Sequence, residues 1–128
     1  MDNLDKGREA AVDARDTAVD GALSRGDVVA AVQLAVENPP VGTKIEELKE
    51  RNAAIVMRAI SGARDDAGIN EVVAALSPEA SDVLMKYIYR GLQHYHEAAG
   101  MLLKWHAVLA AKAGIGSIVR VLTDRKTV

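Results

Sequence analysis

The chain has 128 residues, the size of one domain and enough to bury roughly two thirds of its unfolded surface. Hydrophobic residues make up 49% and charged residues 27%, an ordinary globular balance, and a net charge of −2 offers no positive field to nucleic acid. With no cysteine there is no disulfide framework, thiolate metal site or Cys nucleophile, and with no apolar run near the roughly 18 residues of a membrane span and no apolar signal core in MDNLDKGREA, the reading is a soluble intracellular protein.

Residues 1–26 are rich in Ala, Asp and Arg. Val12, Val19 and Leu23 form a thin stripe that predicts a helix from about Glu9 to Ser24, stopped by Gly26. So sparse a stripe predicts mobility in the first eight or so residues, hence an N-terminal arm, partly mobile, before a single helical domain at 27–128. Asp27 reads as the N-cap of a helix to Glu37, with Val28, Val32 and Val36 on one face, ended by Asn38-Pro39-Pro40. Thr43-Lys44-Ile45-Glu46 has the pattern of a capping box. The helix after it carries Ile45, Leu48, Asn52, Ile55, Val56, Ala59 and Ile60 on one face. Its second half, AAIVMRAI, is apolar nearly all round, so it should end deep in the domain. Gly62 and Arg64–Gly68 read as a loop before a short helix from about Ile69 to Leu76.

Ser77-Pro78 is a strong start signal for a helix to about Leu92. Gln93–His96 reads as a connection. The next helix, AAGMLLKWHAVLAAKA, has few polar breaks and is expected to be covered by neighbours. Gly114–Ser117 separates it from a last helix, with Arg120 and Asp124 at i, i+4 on its outer side. Ser117–Leu122 has strand-like β-branched content, but a lone strand would have no partner. The sum is all-α: about seven helices in an antiparallel α-α superhelix, a short solenoid-like array.

Every ring of the chain lies between Ser81 and His106: Tyr87, Tyr89, Tyr95 and Trp105, with no Phe. Aromatics bury the most area, so this window supplies the densest contacts, in the core or, for Tyr89 and Trp105, against a partner. His94, His96, Glu97 and His106 lack HExxH spacing, and residues two apart on a helix diverge, so ordinary histidines outweigh a metal site. Gly114-Ile-Gly-Ser lacks the strand and Lys of a phosphate loop, and Ser117 has no His-Asp partners, so no enzyme is read here. The basic tail of Arg120, Arg125 and Lys126 compensates a helix dipole or docks on an acidic surface.

MKYIYRG at Met85–Gly91, MLLKWH at Met101–His106, GSIVRVLTDRKTV at Gly116–Val128 and NPPVGTK at Asn38–Lys44 together resemble subunit 5 of the actin-related protein 2/3 complex. The resemblance runs from about Asp27 to the C-terminus. It implies an all-α superhelical domain without enzyme activity or cofactor, a structural subunit of the assembly that nucleates branched actin filaments. It implies subunit 4, subunit 1 and the actin-related protein 2 subunit as partners, the last tethered by an N-terminal arm. It further implies the cytoplasm and cytoskeleton, at cortical actin and cell projections, with no nucleic acid and no membrane insertion. The chain departs from the family pattern in its short, mixed-charge arm, in the segments Gly62–Ile69 and Leu92–Gly100, and at Asp124. The expected contact residues are Tyr89, Arg90, Trp105, Arg120, Arg125 and Lys126. The rival reading is a free-standing helical adaptor that binds another protein or peptide in a groove.

Overall fold

The computed structural model describes residues 3–41, 43, 45–124 and 127–128, with side chains for all of these except Ile115 and Ser117. Among them are seven α-helices: α1 (Asn3–Ser24), α2 (Val28–Val36), α3 (Glu46–Ile60), α4 (Asp66–Ala75), α5 (Pro78–His94), α6 (Ala99–Ala113) and α7 (Ile115–Thr123). One 3₁₀ turn, His96–Ala98, links α5 to α6. The region read as strand-like at Ser117–Leu122 is helical, as the lack of a partner strand required.

The helices form two layers. The odd helices touch in sequence, α1 to α3 to α5 to α7, and so do the even ones, α2 to α4 to α6. Cross-layer packing of α1 on α2, α2 on α3 and α5, and α6 on α5 and α7 closes the core. Side-chain pairs give the directions. Asp13 meets Arg51 and Asp16 meets Arg58, so α1 and α3 run parallel. Asp82 meets Arg120 and Lys86 meets Asp124, so α5 and α7 do as well. Tyr89 meets His106, with α6 returning antiparallel to α5. This is the α-α superhelix expected from the sequence.

Local chemistry sets three of the helix starts. Asp27 accepts from the Ala30 N–H at 3.0 Å, and Ser77 accepts from the Ala80 N–H at 3.1 Å, both at the expected caps. Asp65 does the same for Gly68 at 2.8 Å, so α4 begins at Asp66, within the segment read as loop. The capping box does not form. Thr43 Oγ1 accepts from the Ile45 N–H and donates to Asp5 of α1, while Ile45 takes the N-cap position without a side-chain bond. Lys44 lies outside the described residues. Asn38 turns the chain at φ 44°, a left-handed conformation that Asn tolerates better than most residues.

Two helices exceed their sequence-based limits. α1 begins at Asn3, not near Glu9, because its first turn has its own anchors in Asp5–Arg8 and Asp5–Thr43. α5 runs through His94, past Leu92, and takes in half of the expected connection. Ile60 at the end of α3 is fully buried, as the apolar second half required. α6 differs from expectation: Leu102, Trp105 and Leu109 are buried, but Leu103 stays 56% exposed and Ala107 and Ala111 face outward.

Candidate functional site

Three interior polar side chains, Arg15, Asn52 and Tyr87, hold helices together. Arg15 lies in the apolar stripe of α1, between Val12 and Val19, and is 9% exposed. Its guanidinium donates to Asn52 Oδ1 at 2.5 Å and to the carbonyls of Glu37 and Asn38 at 2.5 and 2.8 Å. Asn52, fully buried in α3, donates onward to the Tyr87 hydroxyl of α5 at 2.5 Å. Burial lowers the Arg15 pKa from its ordinary value, but an arginine remains charged. Burial pushes the Tyr87 phenol up to about 12, against the opposing pull of Asn52 and of Arg15. The chain Arg15–Asn52–Tyr87 therefore joins three successive odd helices and fixes the turn after α2. Sequence reasoning places Asn52 on the buried face, but it reads the run Arg15-Asp16 as a solvated face, and the burial of Arg15 overturns that. The available signal was a charge at the vacant position of an otherwise apolar stripe.

A second set of contacts binds the C-terminal helix to α5. Asp82, Lys86 and Arg90 stand one turn apart on α5. They meet Arg120, Asp124 and the Val128 carbonyl, each pair 38 residues apart in sequence. For the first two pairs the constant offset is what two parallel helices in register produce, with Asp124 at the C-cap of α7; Val128 lies beyond the helix. Arg120 and Asp124, read as lying at i, i+4 on the outer side of the last helix, thus pair across to α5. Their partners come from a neighbouring helix, which local spacing cannot reveal. Lys49 of α3 donates to Thr127 at 3.0 Å, and Val128 is only 5% exposed, so the end of the chain is packed down. Between α5 and this tail runs a cleft of about 350 Å³, lined by Lys86, Tyr89, Arg90, Val121 and Leu122 among others.

The expected contact residues fall in different places. Tyr89 is half-buried and its hydroxyl shares a 2.8 Å hydrogen bond with His106 Nε2, the rings edge-on at 5.5 Å. Arg90 is half-buried, with its Nε lacking a partner among the described residues. Arg120 is exposed beside Asp82. Trp105 has no accessible surface, so within this chain it fills the core and offers nothing to a partner directly. Arg125 and Lys126 lie outside the described residues. His94 and His96 are exposed at the end of α5 and the start of the 3₁₀ turn, while His106 is held by Tyr89. Among the described residues no three His, Asp or Glu side chains converge as metal ligands, and no helix is long and apolar enough to cross a membrane.

Residues 2–128 match the family described as the ARP2/3 complex 16 kDa subunit (p16-Arc). The chain belongs to this family. Among p16-Arc relatives, the actin-related protein 2/3 complex subunit 5-like protein of Homo sapiens is 41% identical over 111 residues, which cover 86% of this chain and 72% of the relative. Subunit 5-B of Xenopus laevis is 41% identical over the same shares. Subunit 5 of Dictyostelium discoideum is 35% identical over 135 residues, covering 99% of this chain and 96% of its own length. The p16-Arc match includes α1 as well as the segments from Asp27 onward that carry the resemblance. The chain is thus a structural subunit of the ARP2/3 complex by family, with an all-α fold.

Proposed function

We propose that the protein acts without catalysis, as the small helical subunit that supports nucleation of branched actin filaments and helps hold the actin-related protein 2 subunit in place. The observation that carries this reading is the family match across residues 2–128, helix α1 included. Its partners are subunit 4, subunit 1 and the actin-related protein 2 subunit, and its place is cytoplasmic, at cortical actin. The fold suits a positional role: Arg15, Asn52 and Tyr87 are engaged in fixing one helix to the next. Tyr89, Arg90 and Arg120 have surface with which to meet a neighbour, Arg125 and Lys126 extend the basic tail by sequence, and Trp105 contributes by holding α6 on the core. Met1–Gly26 is the segment assigned to tethering.

Co-purification with a tagged subunit of the complex, followed by a branching assay with and without this chain, tests the reading. The expected result is stoichiometric incorporation and fewer branches when the chain is omitted. A free small species in a sized cell extract, with branching indifferent to the chain, would favour the adaptor reading instead.

A further inference from the structure

Among the described residues four large hydrophobic side chains are strongly exposed: Leu4 at 71%, Leu103 at 56%, Val119 at 53% and Leu122 at 66%. None lies in the middle of the array. Leu4 is on α1 and the other three are on α6 and α7, the last helix of each layer. In an array of stacked helices each element covers its predecessor, and a terminal element needs a polar outer face or a neighbour. α7 is amphipathic, with Arg120 and Thr123 on its polar side, but its apolar side is wider than the core covers: Val121 and Ile118 turn inward, while Val119 and Leu122 on the same side stay exposed.

Charge supplies the second argument. From Ala99 to Val128 the chain has five cations, Lys104, Lys112, Arg120, Arg125 and Lys126, and one acid, Asp124, a net charge of +4. The whole chain is −2, so residues 1–98 carry −6. Lys104 on the outer side of α6 is exposed and has no ion-pair partner among the described residues. A second copy of this end would bring like charge to like charge. An acidic partner gains from the same field.

We propose that the α6–α7 end of the array is a docking surface for an amphipathic helix of a partner subunit. This helix sets its apolar stripe against Val119 and Leu122 and an acidic flank toward Lys104, in the position the next helix of the array would take. The inference rests on the structural-subunit reading above and adds which end of the chain is gripped and by what chemistry. Leu4, at the opposite end, has no part in it.

The test is assembly of the intact complex with full-length chain variants, each checked for an unchanged thermal melt. Val119→Glu/Leu122→Glu should weaken incorporation by about 30-fold or more, the loss of a buried apolar anchor. Leu122→Lys should be milder than Leu122→Glu, because it keeps the sign of the surface. Lys104→Glu alone should cost roughly three- to tenfold and reduce the salt dependence of assembly. Glu47→Gln, on the exposed side of α3, should change nothing. A photo-crosslinker at position 122 should join the chain to an acid-flanked helix of another subunit. If the unaltered chain does not enter the complex, the structural-subunit reading falls and this inference with it. If it enters and Val119→Glu/Leu122→Glu enters equally well, the inference alone is overturned. Crosslinks from position 122 only to a second copy, or substitutions that abolish only binding to phosphatidylserine vesicles, overturn it too. Should the double variant fail to melt cooperatively, Lys104→Glu decides, since it alters an exposed charge and no packing.

Discussion

Arg15 is a charge taken out of water, and its surroundings show what makes that tolerable: one side-chain oxygen and two backbone carbonyls converge on a single guanidinium. A buried network of this kind stabilises only while every member is present, because each loss leaves a neighbour desolvated and unpaired. Asn52→Ala removes the joint between Arg15 and Tyr87 and is expected to cost about 2–4 kcal/mol in urea denaturation. Asp13→Ala, which breaks the exposed pair with Arg51, should cost less than about 1 kcal/mol. If the two losses were equal, the network would not be the stronger joint. Tyr87 gives the same site a pH signature. Its folded pKa, about 12, is above the ordinary tyrosine value of 10.0. Below pH 10 both states keep the proton and the stability is fully present. As pH rises from 10 towards 12 the unfolded chain ionises first, so stability falls, by an amount of about 2–3 kcal/mol once both are ionised. Denaturation midpoints followed from pH 9 upward should show this fall, and Tyr87→Phe should flatten it while costing about 1–2 kcal/mol at neutral pH.

At the scale of the element, α5 carries the most duties. Ser77 caps its start, Tyr87 ends the polar network, Gly91 meets α6, and Asp82, Lys86 and Arg90 hold α7 and the tail. Ser77→Ala should cost about 1 kcal/mol, the worth of one N-cap. Gly91→Ala sets two effects against each other. Alanine gains about 1 kcal/mol of helix propensity, but overpacking costs about 1–3 kcal/mol. The new Cβ would stand 2.8 Å from Leu102 Cδ1 and 3.3 Å from Met57 Cε. Leu102 is fully buried and has little room to yield, so the net effect is destabilisation, and Leu102→Val in the same chain should recover part of it in a double-mutant cycle. The caps Asp27 and Ser77 were legible from sequence because each is made within four residues. The start of α3 was not, because Thr43 has a second suitor in Asp5, and a contact between α1 and the loop before α3 leaves no mark in local spacing. The pairing of Arg120 and Asp124 with α5 was not legible for the same reason: each partner lies 38 residues away in sequence.

Across the whole molecule the two layers divide the charge. α2 has no charged residue and α6 only Lys104 and Lys112, whereas α1 and α3 are dense in both signs and cross-linked by Asp13–Arg51 and by Arg58 with Asp16 and Asp20. The family resemblance and the helix count were legible because long apolar periodicities and the tail motif survive in one sequence. How α1 attaches was not, since its stripe has few apolar residues and the rest of its attachment is polar and long-range. Deleting residues 1–26 tests how much the array depends on that attachment. Without α1, the face of α2 that packs on it loses its cover, and Asn52 loses the guanidinium it accepts from. Each exposed Val costs about 1.5–3 kcal/mol and an unpaired buried amide about 1–3 kcal/mol, together a large share of the 5–15 kcal/mol by which domains are stable. Residues 27–128 alone should therefore show a broad, low-temperature melt and slow amide protection lost across α2 and α3, with α5–α7 retaining more. A sharp melt at the temperature of the full chain would mean that α1 is an appendage and that the remaining helices close their own core.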